Sequence, residues 1–161
     1  MHPTDSQRTV NSAPMEPEAT VRRFYDALST GNTALVDDVL APDWEAIPAL
    51  RTGRGADGWK SSIEHLRGVF SGLSVAIEEV IASGDVVAVR SVIRGIHSGE
   101  LLGVPGTGCE VEFRAADFHR LVNGRLVRTW HLEDYFGLAV QLGLTFTGLL
   151  PCGLRERRRK P

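Results

Sequence analysis

The apolar positions change period once along the chain, and that change divides it into a helical first half and a sheet-forming second half. From residue 18 onward Val21, Phe24, Tyr25 and Leu28 recur at helical spacing, and Gly31 stands where a left-handed residue would close the helix. A shorter helix is predicted over residues 33–40, where Leu35, Val36, Val39 and Leu40 are apolar and Pro42 prevents continuation. Trp44 and Ile47 follow in a loop or short strand. A third helix is predicted over residues 57–70, with Trp59, Ile63, Leu66, Val69 and Phe70 near one stripe and Gly72 beyond its end.

Four strands then follow, over residues 74–81, 86–97, 110–122 and 125–134, each rich in Val, Ile or Phe. Gly84-Asp85 and Asn123-Gly124 separate neighbouring runs, and Asn-Gly is the strongest short-range signal for a tight hairpin. A last helical turn or two is expected over residues 135–142. Helices followed by an antiparallel sheet define an α+β domain with the helices packed on one sheet face.

At 161 residues the chain suits one domain. Residues 1–16 hold Pro3, Ser6, Ser12 and Pro14 without periodicity and are expected to form a flexible leader. The domain proper is expected over residues 17–145, followed by a basic tail over 146–161. The hydrophobic share of 42% fits a packed core, and a formal charge of -2 is too near neutral for a nucleic-acid-binding surface. Cys109 and Cys152 form no CxxC pair, and no apolar stretch is long enough for a signal or a membrane span, so a cytoplasmic protein with a small-molecule partner is expected.

A two-residue turn at Asn123-Gly124 pairs Val122 with Arg125 and, counted back regularly, His119 with Arg128, Asp117 with Trp130 and Phe113 with Asp134. One face then carries Phe113, Ala115, Asp117, His119, Leu121, Leu126, Arg128, Trp130, Leu132 and Asp134. The other carries Arg114, Phe118, Arg120, Val127, Thr129, His131 and Glu133. Charged groups on the more apolar face are costly unless they pair or serve a ligand, so either an internal ion-pair network or a polar-floored pocket is expected there. Asp134, counted opposite Phe113 and near Trp130, would then sit in surroundings that disfavour its charge and suit a general base. A single bulge in either strand would invert this sorting.

The segments GIHSGELLGVPGTG at residues 95–108 and FRAADFHRLVNGRLVRTWHLEDYFGLAVQLG at 113–143, with FYDAL in the first helix, resemble the SnoaL-like polyketide or ester cyclases of the nuclear-transport-factor-2-like superfamily. The resemblance implies a cystatin-like cone, a curved antiparallel sheet with helices over its concave face around a hydrophobic cavity. It also implies ring closure by an intramolecular aldol reaction without metal or cofactor, with Asp134 as acid/base. His119 matches an active-site histidine and His97 a recurrent one, while Gly106 replaces the second proline of the family's Gly-x-Pro-Pro-Thr-Gly turn.

On this basis Asp134 and His119 are the expected catalytic residues. Tyr25, Phe24, Trp44, Trp59, His97, Phe113, Asp117, Arg128 and Trp130 are expected to hold a small hydrophobic, polycarbonyl or polyketide-like substrate. The aromatic residues among them could equally be ordinary core. Homodimers or homotetramers are expected from the resemblance and from Phe118 and Val127 on the outer face. Epoxide opening, dehydration or isomerisation on the same cone, and a non-catalytic binder of apolar ligands, remain the alternatives. The string Gly53-Arg54-Gly55-Ala56-Asp57-Gly58 matches GxGxxG but follows no strand, so it predicts a loop rather than a nucleotide site.

Overall fold

The computed structural model describes residues 16–101 and 103–143. The expected leader (except Glu16) and the basic tail with Cys152 lie outside the described residues.

Pro17 opens the first helix, α1 (Pro17–Thr30), at a position where its missing N–H costs no hydrogen bond. Gly31 closes it at φ 77°, its N–H reaching the Ala27 carbonyl at 2.9 Å. Val21, Phe24, Tyr25 and Leu28 are all buried along its inner stripe. The short α2 (Ala34–Val39) leads directly into β1 (Leu40–Ile47), and α3 (Gly55–Val69) runs without a gap into β2 (Phe70–Ser83). The chain continues through β3 (Val86–His97), β4 (Glu110–Val122), β5 (Arg125–Glu133) and α4 (Tyr135–Gln141).

The sheet has the order β1-β5-β4-β3-β2. Neighbours from β2 to β5 are antiparallel, but β1 lies parallel to β5, so the sheet is mixed rather than wholly antiparallel. An edge position explains how Pro42 fits a strand, since the edge leaves one row of N–H groups without ladder partners. The GxGxxG string, expected to follow no strand, does follow β1. It spans the loop after β1 and the first turn of α3, and Gly58 lies so close to Gly53 that an added Cβ would meet its carbonyl carbon at 2.4 Å.

Strict alternation in β4 buries Val111, Phe113, Ala115, Asp117, His119 and Leu121 beneath the helices and exposes their neighbours. Packing of α1 and α3 over this face joins Phe24, Trp44, Trp59, Ile63, Phe70 and Leu126 in one core. On the opposite face Phe118, Ile81 and Leu132 remain exposed.

Candidate active site

The site begins with a departure from regular pairing in the last hairpin. Val122 faces Arg125 and Leu121 faces Leu126, but Arg120 then faces Arg128, leaving Val127 as an extra residue in β5. This bulge inverts every side chain beyond it. Thr129 therefore pairs with His119, His131 with Asp117 and Glu133 with Ala115, all toward the helices.

Three expected site residues leave the concave face for the same reason. Arg128 lies on the outer face, ion-paired to Glu45 at 2.8 Å and 5.6 Å above the Trp130 ring, and Trp130 itself pairs with exposed Phe118. Asp134 is exposed and caps α4, its Oδ1 accepting from the Gly137 N–H at 2.8 Å. The greasy enclosure expected around that carboxylate is absent, because Asp134 follows the last strand residue on the inverted register.

A polar row takes their place on the concave side. The Trp44 indole N–H donates to Thr129 Oγ1 at 3.0 Å, and Thr129 Oγ1 lies 3.0 Å from His119 Nδ1. His119 Nε2 is 2.8 Å from the Tyr25 hydroxyl, which also meets Asp117 Oδ2 in a short hydrogen bond. With Asp117 ionised, Tyr25 donates to its carboxylate, so His119 Nε2–H donates to Tyr25, the bare His119 Nδ1 accepts from the Thr129 hydroxyl, and Thr129 accepts from the Trp44 indole. His119 is then neutral, which agrees with burial pushing its pKa down to about 3.

Burial pushes the Asp117 carboxyl up to about 6, with the Tyr25 hydrogen bond pulling it back, the Glu133 charge adding to the rise and His131 opposing it. Burial likewise raises Tyr25, so its proton stays on oxygen. His131 places Nδ1 at 2.9 Å from Glu133 Oε1 and Nε2 at 2.8 Å from the Pro48 carbonyl. Both ring nitrogens face acceptors, so the imidazole is satisfied fully only when protonated, and the Glu133 hydrogen bond raises its pKa accordingly. The His131 and Glu133 side chains keep 18% and 19% of their surface exposed, which gives this cluster its contact with the outside.

Phe24, Tyr25, Trp44, Trp59 and His119 thus meet as expected, with Phe24 stacked on Trp59 at 4.6 Å and edge-on to His119 at 5.3 Å. His97 and Phe113 lie farther along the same face, both near Phe70, with His97 Nδ1 held by Thr107. Thr129, His131 and Glu133 were not expected in the site. Regular pairing counted from the Asn123-Gly124 turn placed them on the opposite face. Among the described residues no three His, Cys, Asp or Glu side chains converge to hold a metal ion, and no helix is long and apolar enough to cross a membrane.

The sequence profile of the SnoaL-like polyketide cyclases matches residues 19–142. The chain belongs to this family. Among members of the SnoaL-like family, it is 29% identical over 147 residues to the aklanonic acid methyl ester cyclase DauD of Streptomyces sp. (strain C5), covering 86% of this chain and 91% of DauD. The aklanonic acid methyl ester cyclase AcmA of Streptomyces galilaeus is 30% identical over 134 residues, covering 80% and 91%. IdmH from Streptomyces antibioticus superimposes with a TM-score of 0.70 at 28% identity, over 80% of this chain and 99% of IdmH. TsrD from Streptomyces laurentii gives 0.74 at 24% identity, over 80% and 95%, and supports the shared fold.

The two buried titrating groups of this SnoaL-like site act on stability with opposite signs. His119 holds its proton less tightly when folded, so its contribution is present above about 6.5 and is lost as pH falls toward 3. Asp117 holds its proton more tightly when folded, so its contribution is present below 3.8 and is lost as pH rises through about 6. Each pKa unit is worth about 1.4 kcal/mol. Urea midpoints measured between about pH 4 and pH 7 should therefore fall less steeply toward acid in His119→Gln and more steeply in Asp117→Asn than in the wild type. Identical slopes in all three proteins would contradict this assignment.

Proposed function

We propose that the protein closes a ring in a polyketide-type ester by intramolecular carbon–carbon bond formation, with Asp117 as the group that carries the proton. The observation that carries this reading is the Asp117 carboxylate itself: 6% exposed, hydrogen-bonded by Tyr25, raised to about 6 and facing His131 across the strand pair. A base poised near neutrality both accepts and returns a proton effectively.

Asp117 removes a proton from a carbon flanked by carbonyl groups, and the resulting enolate attacks a second carbonyl carbon of the same molecule. The new alkoxide then takes the proton back from Asp117, so substrate and product are isomers and no other reactant is consumed. Protonated His131 stands opposite Asp117 and supplies positive charge where the enolate develops, a favourable arrangement in a site of low polarity. The aromatic walls of Phe24, Trp44 and Trp59 favour a flat, unsaturated substrate folded on itself. Support for the chemical class comes from the family and from the names of DauD and AcmA.

Incubation with aklanonic acid methyl ester in deuterium oxide tests this. The expected product is an isomer of the substrate with one more ring. Its mass should differ only by exchanged deuterium. Water added across the molecule would instead indicate hydrolysis, and unchanged substrate with no exchange at its acidic carbon would remove the proposal for this ester.

A further inference from the structure

The parallel ladder between β1 and β5 ends at Ile47 and Trp130, and the chain then leaves the sheet toward α3. The next residue on each side carries the connection one bond further, from the His131 side chain to the Pro48 carbonyl at 2.8 Å. Beyond Pro48 the segment of residues 48–54 is held by Leu50, packed against the core, and by Thr52, whose Oγ1 donates to the Gly58 carbonyl at 2.8 Å. The segment forms one wall of a cavity of about 220 Å³ whose lining includes Trp44, Ile47, Leu50 and Arg54. Pockets that enclose drug-sized ligands usually measure about 300–1,000 Å³, so a substrate of several rings needs a wall that yields.

The hold on this wall depends on a proton. His131 Nε2 faces the Pro48 carbonyl and Nδ1 faces Glu133 Oε1, so both bonds exist together only on the imidazolium. A neutral ring keeps its one N–H toward the charged acceptor, Glu133, because bonds to ionised groups are the stronger. Nε2 then turns a lone pair toward the carbonyl oxygen, and the hold on Pro48 becomes a repulsion. Glu133 on the same strand and Asp117 opposite on β4 both favour the charged ring, and its pKa lies above the ordinary 6.5. Tyr25, bonded to Asp117, and Tyr135, beyond Glu133, are both raised by burial and keep their protons. Asp117 titrates near 6, so its charge is already present where His131 begins to lose its proton. The segment itself carries exposed Arg51 and Arg54.

We infer that His131 is a proton-operated clasp on the 48–54 segment, closing it against Trp44 when the ring is charged and freeing it when the ring is neutral. The positive charge that the proposed cyclisation draws from His131 and the closing of this wall then come from one proton. The clasp stands on the contacts of His131 alone. Only its service to a polyketide-type substrate rests on the reaction proposed above.

Trypsin tests the clasp on the full chain without any substrate, because Arg51 and Arg54 are cleavage sites inside the segment. First cuts at these two residues, identified by fragment mass, are timed between about pH 6 and pH 9. Each rate is divided by that of a free peptide spanning residues 45–58, which removes the protease's own pH dependence. Cleavage slower than reclosing follows the population of the open segment. The relative rate in the wild type should rise about tenfold with pH, the loss of one hydrogen bond. His131→Phe should be cut at the high rate throughout, and Glu133→Gln should reach that rate at lower pH than the wild type. A flat wild-type rate, an equal rise in His131→Phe, or an unmoved Glu133→Gln curve would each overturn the inference. Failure of the ester to cyclise would leave these rates as they are, so the two readings fail separately.

Discussion

Asp117→Asn is expected to lower turnover by about 10² to 10⁴, the usual contribution of a positioned general base, while leaving the fold intact. Asparagine keeps an oxygen for the Tyr25 hydroxyl but cannot take a proton, so the loss should fall on the rate of the chemical step rather than on binding. The matching experiment is Asp134→Asn, because a family resemblance points to that aspartate and the coordinates put it in the open. Asn is as good a helix cap as Asp, so this variant should turn over within about threefold of the wild type. Asp134→Ala should cost about 1 kcal/mol of stability through the lost cap to Gly137. If single-turnover rates fall for Asp134→Asn and hold for Asp117→Asn, the assignment of the base is reversed.

The largest effect on stability is expected at Phe24. Its ring stacks on Trp59 at 4.6 Å and touches Tyr25, Trp44 and His119 at centroid distances of 5.4, 6.1 and 5.3 Å. Truncation of a buried phenylalanine typically costs about 3–5 kcal/mol, and aromatic pairs add about 0.5–1.5 kcal/mol beyond area burial. A domain of this size has roughly 5–15 kcal/mol in total, so Phe24→Ala should consume a substantial part of it. Equilibrium urea unfolding should show Phe24→Leu at an intermediate value. A loss below about 1 kcal/mol for Phe24→Ala would mean that the neighbouring rings collapse into the vacated space. The same substitution loosens the wall behind Tyr25 and His119, so catalysis should suffer at temperatures where the protein is still folded.

Most of the architecture could be read in the residues. The stripe of Val21, Phe24, Tyr25 and Leu28, the closing Gly31 and the Asn123-Gly124 turn all have local physical signatures, and each element appears within a few residues of its expected bounds. The face of β4 was also legible, because counting in steps of two from the Asn123-Gly124 turn sorts its residues as their burial does. The pairing of β1 was not legible, since its parallel partner β5 lies far along the chain and no local signal specifies such a contact.

The site divides along the same line. Tyr25, Asp117 and His119 lie on elements with strong local patterns and meet as expected. Arg128, Trp130 and Asp134 lie beyond Val127, where one unpaired residue exchanges the two faces. Nothing in the composition of RLVRTWHLE marks that position. Trp130 and Leu132 look like core residues, yet Leu132 is 73% exposed. The polar Thr129 and His131 find inward partners in Trp44, His119, Glu133 and Pro48, and the two contacts from outside the last hairpin span 85 and 83 residues of chain.

The indole of Trp44 has a wider consequence as the terminus of a one-directional circuit. With Asp117 ionised, the bonds from Trp44 through Thr129, His119 and Tyr25 all run in one sense, so each bond in the line strengthens the next and the combined dipole points at the carboxylate. The basicity of the protein's central acid is thereby tied to a ring four groups upstream, so a change at Trp44 would be felt at the carboxylate as well as at the wall that the ring forms.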